Sequence, residues 1–172
     1  MKCLVFSDAH GSVHYVKKAL LMHPDAEVVF FLGDGLAEID QLAASDTARA
    51  WLAVRGNCDF YSTFKGISAL KTDSITLAGF KITFTHGDLY DVKYTAEKLS
   101  ALAERTGSDI LLFGHTHIPY EKYFSDGEKP YYLFNPGSIG TGSHSYGVMM
   151  LDKAPLLSHG EFYQVTCRCI IA

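Results

Sequence analysis

The chain has 172 residues, 48% of them hydrophobic and 20% charged, a balance that excludes a disordered polypeptide and allows an apolar core without disulfide staples. No apolar run approaches the roughly 18 residues that a membrane-spanning helix needs. The formal net charge is −4, and no lysine or arginine cluster exceeds a pair, so the basic footprint of a nucleic-acid binder is missing.

Met1 runs directly into an apolar stretch, Cys3 to Phe6, with no basic leader or small-residue cleavage site, so export is not expected. Cys3, Cys58, Cys167 and Cys169 form no CxxC pair and are too sparse for a secreted scaffold, which points to reduced thiols and a cytoplasmic location. Val13 to Met22 then carries apolar residues at helical spacing behind a candidate N-cap, Ser12, and Val28 to Leu32 reads as a second buried strand, giving a βαβ unit. Residues 36 to 50 and 91 to 106 repeat the helical pattern, with Trp51 to Val54 a strand between them. Ser74 to Leu77 and Lys81 to Thr85 alternate about Ala78-Gly79-Phe80, the signature of a hairpin.

Ile110 to Phe113 is a further buried strand. Tyr131 to Phe134, Tyr146 to Leu151 and Glu161 to Cys169 follow as strands, separated by turn-rich Asn135-Pro136-Gly137-Ser138 and by residues 155 to 160. With no long linker and no repeat, a single domain over residues 1–172 is expected. A chain that begins βαβ and ends in antiparallel strands implies an α/β fold of two mixed sheets face to face, flanked by helices.

Five polar clusters each follow an apolar run: Asp8-Ala9-His10-Gly11, Gly33-Asp34-Gly35, Gly56-Asn57-Cys58-Asp59, His86-Gly87-Asp88 and Gly114-His115-Thr116-His117. Ligands of open α/β sheets bind beyond the carboxyl ends of the strands, so five such ends can converge on one crevice. Oxygen and imidazole donors suit hard or borderline divalent ions. There are enough of them for two ions, with a carboxylate such as Asp34 placed to bridge, and metals about 3.5–4 Å apart can clamp a phosphate. Taken singly, each fragment has a plainer reading, since Gly-Asp is most often a turn and a lone histidine after a strand is most often structural.

The order DxHG, GD, GN, HG, GHTH over roughly residues 3 to 140 resembles the calcineurin-like metallophosphoesterase superfamily, and Asn135-Pro136-Gly137-Ser138 resembles its small YfcE-type phosphodiesterase branch. The resemblance implies a four-layer αββα sandwich and a metal-bridging hydroxide as nucleophile. It also implies that Asp8, His10, Asp34 and His117 hold a first metal, and that Asp34, Asn57, His86 and His115 hold a second. Asn57 and His86 thereby belong to the catalytic set as well. Two divalent ions are expected, manganese first, with iron, zinc, nickel or magnesium as other occupants.

The chain departs from the family pattern at Cys58, where many members carry a histidine that protonates the leaving oxygen. A thiol is a weak donor, so Cys58 is a poor replacement. Asp59 replaces it only if its carboxyl stays protonated, and its plainer reading is a helix cap. Asn135-Pro136-Gly137-Ser138 reads as a tight turn that supports the site indirectly, rather than as a set of donors to substrate. Tyr61, Phe64 and Tyr90 follow the donor loops and are candidates to line a pocket. His14, His23, His144 and His159 match no ligand position, although His14 falls one helical turn beyond His10.

A small phosphodiester is the expected substrate. The alternatives are a protein-interaction scaffold like Vps29, which shares the fold and also lacks the acid histidine, or a phosphomonoesterase, for which Arg55 is the only arginine beside the motifs. A long nucleic acid is disfavoured by the acidic balance. The C-terminal strand over residues 160–172 offers an edge through which copies could pair.

Overall fold

The computed structural model describes residues 1–60, 63–125, 129–142, 144–154 and 162–172, and for 153, 154 and 162–169 the backbone alone. The elements are β1 (Lys2–Phe6), α1 (His14–Met22), β2 (Val28–Phe31), α2 (Leu36–Ser45), β3 (Ala50–Ala53), β4 (Thr63–Phe64), β5 (Ile67–Ser68), β6 (Thr72–Leu77), β7 (Phe80–Thr85), α3 (Glu97–Thr106), β8 (Ile110–Leu112), β9 (Tyr120–Phe124), β10 (Tyr131–Asn135), β11 (Ser145–Ala154) and β12 (Phe162–Ile171). A 3-10 turn over Asp88–Tyr90 precedes α3.

Two five-stranded mixed sheets form, ordered β12-β11-β1-β2-β3 and β6-β7-β8-β10-β9. In the first, β1, β2 and β3 run parallel and β11 is antiparallel to β1. In the second, β7, β8 and β10 run parallel while β6 and β9 are antiparallel edges.

Alternation along each strand divides the core into three layers. Leu4, Phe6, Val29, Phe31 and Trp51 face α1 and α2, meeting Val16, Ala19, Leu20, Leu36 and Ile39. Cys3, Val5, Val28 and Phe30 face the other way, against Ile82, Phe84, Ile110, Leu112 and Phe134 of the second sheet. Leu111, Tyr131 and Leu133 on the far side of that sheet receive Leu99, Leu102 and Ala103 of α3. Strands covered on both faces are apolar throughout, which is why the first two read as unbroken hydrophobic runs. The result is the expected αββα sandwich, with the carboxyl ends of β1, β2, β3, β7 and β8 supplying the polar loops.

Several element limits differ from the sequence reading. Helix α1 starts at His14 behind Val13, with no side-chain cap, so Ser12 is not its N-cap. Helix α2 stops at Ser45 rather than 50. Asp46 accepts from Arg49 and from the Trp51 indole, and this closes the chain into β3. Helix α3 begins at Glu97 rather than 91, because the 3-10 turn and the left-handed Asp91 (φ 53°) break the pattern upstream. Strand β9, with glutamate and lysine at its centre, is an exposed edge, and such edges are charged for a reason that hides them from hydrophobic pattern reading. Residues 155–160, His159 and Tyr61 lie outside the described residues. No helix among the described residues is long and apolar enough to cross a membrane.

The two sheets meet at Phe30 and Phe84, packed edge to face with centroids 5.3 Å apart. Both rings are almost wholly buried. Phe84→Ala is therefore expected to lower stability by about 3–5 kcal/mol in urea denaturation, with the slope unchanged. A loss below about 1 kcal/mol would mean that the sheets are held together elsewhere.

Candidate metal centre

Three of the donor loops, those after β1, β2 and β8, place their donors on backbone that side chains rarely adopt. Of the nine non-glycine residues with positive φ among the described residues, five are Asp8, His10, Asp34, His115 and His117. Left-handed backbone costs roughly 1–3 kcal/mol per residue and gathers at functional sites. Glycine makes the approach possible at Gly56, where a Cβ would lie 2.0 Å from Asp34 Oδ1, and at Gly114, where it would lie 1.9 Å from Ser7 Oγ.

The seven expected donors come together. Asp8, His10 and His117 form one group with donor atoms within 4.8 Å of each other, and Asp34, His86 and His115 form another. His10 Nε2 and His117 Nε2 are 3.2 Å apart, and Asp8 Oδ1 lies 3.2 Å from His117 Nε2 and 3.9 Å from His10 Nε2. In the second group His86 Nε2 is 3.1 Å from His115 Nδ1, 3.1 Å from Asn57 Oδ1 and 3.4 Å from Asp34 Oδ2. Asp34 also belongs, with His10 and Cys58, to a third group that joins the two. His115 and His117, two residues apart in a left-handed loop, therefore serve different groups.

The donors are held by their outward atoms. Asp8 Oδ2 accepts from Ser7 Oγ at 2.6 Å and from the His115 amide at 3.1 Å. Its Oδ1 is buried with no hydrogen-bond partner and faces the histidines. Asp34 Oδ1 accepts from the Cys58 amide at 2.8 Å, leaving Oδ2 for His86. His86 Nδ1 donates to the Leu32 carbonyl at 2.8 Å, which puts the lone pair of the neutral ring on Nε2, toward the cluster. An orphaned carboxylate oxygen amid inward imidazole nitrogens and an amide oxygen is a donor set that fits divalent cations.

The charges agree with that orientation. Burial alone would raise Asp34, but the hydrogen bond and charge of His86 and the Cys58 amide outweigh it, holding the carboxyl well below the usual range. Burial alone would lower His86, but Asp34 and Asp8 outweigh it and raise the imidazole. His115 is lowered by burial, then by the neighbouring His86. Burial, then Asp34, pushes the Cys58 thiol up. A cation between these groups would displace protons from both histidines and favour the thiolate.

Asp8, Asp34 and His86 form a buried floor, while His10, His117, Asn57 and Cys58 are exposed above it. The Asn57 amide nitrogen reaches Cys58 Sγ at 3.2 Å, so its two ends divide between the thiol and His86.

Asp59 requires a correction. Its buried carboxylate accepts four backbone amides, those of Asp34, Gly35, Leu36 and Gly56, at 2.7–2.9 Å. Both oxygens are occupied as acceptors of backbone amides, which matches the helix-cap reading rather than the catalytic one. It caps the N-terminus of α2 from a different loop and binds the Asp34 and Asn57 loops together.

Asn135 and Ser138 are likewise turned inward. Asn135 Nδ2 donates to the Gly114 carbonyl and Thr116 Oγ1, and Ser138 Oγ donates to the Asp8 carbonyl. The turn therefore anchors two donor loops, as expected of indirect support. Lys71, which no motif singled out, donates to the Gly56 carbonyl at 2.9 Å and to Asp88 at 2.8 Å, bridging the Asn57 and His86 loops. It lies alone between strands, so sequence offered no signal for it. Phe64 packs on the α1/α2 side of the core, and Tyr90 packs against the α3 layer with its hydroxyl 3.1 Å from Thr72 Oγ1. His23 meets the Tyr146 hydroxyl at 2.9 Å, and His144 stacks on Tyr15.

Residues 1–154 match the family profile of the calcineurin-like phosphoesterase superfamily domain, and the chain belongs to that superfamily. Among curated relatives, the probable metallophosphoesterase YsnB of Bacillus subtilis (strain 168) is 30% identical over 157 residues, covering 89% of this chain and 86% of that protein. The phosphodiesterase YfcE of Escherichia coli (strain K12) is 29% identical over 180 residues, covering 92% of each. Among solved structures, a predicted phosphoesterase from Streptococcus pneumoniae TIGR4 superposes with a TM-score of 0.71 at 26% identity, over 96% of this chain and 87% of that one.

Two outcomes follow for stability. Metal-stripped protein given manganese at about a hundred times its dissociation constant should gain about 2.7 kcal/mol, read as a rise in melting temperature, and Asp8→Ala should abolish that gain. Asp59→Ala, which strands four amides, should lower metal-free stability by about 2–4 kcal/mol. An Asp59→Ala protein as stable as the wild type in urea would refute the clamp.

Proposed function

We propose that the protein is a phosphodiesterase acting on small phosphodiesters at a dinuclear site, with manganese the first choice of metal. Asp8, His10, Asp34 and His117 would hold one ion and Asp34, Asn57, His86 and His115 the other. The observation that carries this reading is the unpaired Asp8 Oδ1, buried and facing His10, His117 and His86 within 3.2–4.0 Å. Two bound divalent ions would supply a nucleophile from water near neutral pH and neutralise the phosphoryl oxygens.

The chain's own residues then set the selectivity. Asn57 and Cys58 stand at the exposed mouth, where a leaving group would depart, and neither they nor Asp59 present a strong acid there. Esters with good leaving groups need little such help. A diester brings one negative charge and a monoester up to two, and the carboxylates Asp8 and Asp34 of the cluster favour the less charged anion. YfcE, named as a phosphodiesterase, supports the same reading by similarity. A cytoplasmic location is supported by the free thiols of Cys3 and Cys58.

The test compares a nitrophenyl phosphodiester with its monoester, using metal-stripped protein resupplied with manganese. Diester hydrolysis should exceed monoester hydrolysis, and His86→Ala should reduce it by at least about a hundredfold, the scale of losing one preorganised group. The rate should fall steeply as the leaving-group pKa rises, and Cys58→His should flatten that dependence. No turnover of either ester with manganese, iron, zinc, nickel or magnesium would favour the scaffold reading instead.

A further inference from the structure

Beside the donor cluster runs a trough of about 390 Å³ between residues 92–96 and 116–120. Its floor is Leu99 and Phe113, both buried, and its rim carries Tyr94, 90% exposed, and Ile118, 68% exposed. The trough adjoins the site on both sides. Thr116 lies between His115 and His117, with Ile118 and Pro119 directly after them. On the opposite wall Val92 packs on the His86 loop, its Cγ2 3.0 Å from where a Cβ on Gly87 would lie.

We propose that this trough is a subsite for a flat aromatic group joined through oxygen to the substrate phosphate, with Tyr94 as its specificity-determining residue. The proposal rests on the phosphoesterase reading for the position of the phosphate. Three features commit it to that occupant. The volume falls within the range of small-ligand pockets, about 300–1,000 Å³, and accommodates a ring rather than a folded partner. Tyr94 lines the trough beside its apolar floor, and an exposed tyrosine ring gains from covering by another aromatic face. Lys93 is the single charged residue in the lining, so the trough admits an organic phosphate anion with no carboxylate of its own to repel it. The backbone that carries Tyr94 is tied by a turn, its amide donating to the Asp91 carbonyl at 2.9 Å, and Lys98 pairs with the Asp91 carboxylate.

The experiment is calorimetric titration of the manganese-loaded protein with phenylphosphonate and with methylphosphonate, which read binding without turnover. Phenylphosphonate should bind about tenfold more tightly, the scale of one well-placed aromatic contact. Tyr94→Ala, which removes an exposed ring, and Ala96→Leu, which fills the trough, should each bring the two affinities close together while leaving methylphosphonate unchanged. Tyr123→Ala, an exposed tyrosine outside the trough, should leave the preference intact. Equal affinities in the wild type, no binding of phenylphosphonate, or a preference untouched by both trough variants overturns the subsite. A phenyl preference in a protein that turns over no ester would instead overturn the catalytic reading alone.

Discussion

Crowding of lone pairs is the constraint around which this structure is organised. Asp8 Oδ1, Asp34 Oδ2, Asn57 Oδ1 and the facing nitrogens of His10, His86, His115 and His117 are brought within a few ångströms of one another. Such an arrangement is costly without a cation, since the buried Asp8 Oδ1 has lost its water and gained no hydrogen bond in exchange. Five donor residues in three loops adopt left-handed backbone to achieve it, which adds strain of its own. A fold that accepts both costs at one place must recover them elsewhere, and the three-layer apolar core is where it does so.

The outward-facing half of each donor explains how the crowding is sustained. Every carboxylate in the floor divides its oxygens, one fastened to a neighbouring amide or hydroxyl and one left to the site. Ser7 and the His115 amide hold Asp8, the Cys58 amide holds Asp34, and the Leu32 carbonyl sets the ring of His86. Beneath these lies a second tier of ties. Asp59 binds the Asp34 and Asn57 loops, Lys71 binds the Asn57 and His86 loops, and Asn135 binds the turn after β10 to the loop of His115. Loops are ordinarily the mobile part of a fold, and here each donor loop is fastened to at least one other.

Much of this was legible in sequence for a physical reason. Strands buried on both faces must be continuous apolar runs, and a polar group at the end of such a run has one edge of the sheet to occupy, so Asp8, Asp34, Asn57, His86 and His115 announced their meeting. The ties were not legible, because they are long-range and use ordinary residues. Lys71 carries no motif, and Asp59 sits beside Cys58 as though it belonged to the chemistry when its oxygens face the backbone of a helix 23 to 25 residues away. The limits of α2 and α3 were misjudged because side-chain and backbone details override the helical pattern, the first ending where Asp46 accepts from Arg49 and Trp51 and the second delayed by a left-handed aspartate. Edge strand β9 was missed because its solvent-facing charges mask the alternation.

The uneven depth of the site bears on what it can discriminate. Its floor is sealed and carries most of the fixed charge, so any anion reaching it meets the same groups whatever alcohol it carries. Selection among phosphate esters must therefore come from the rim, where this chain differs from the familiar pattern: a thiol at position 58 in place of an imidazole on one side, and the Tyr94 and Ile118 trough on another. A weak acid at the rim makes the rate depend on the alcohol's own stability as an anion, whereas an apolar trough makes affinity depend on the alcohol's shape. On the proposed reading, an aromatic alcohol would satisfy both demands at once, because its oxyanion is stabilised by the same ring that would fill the trough.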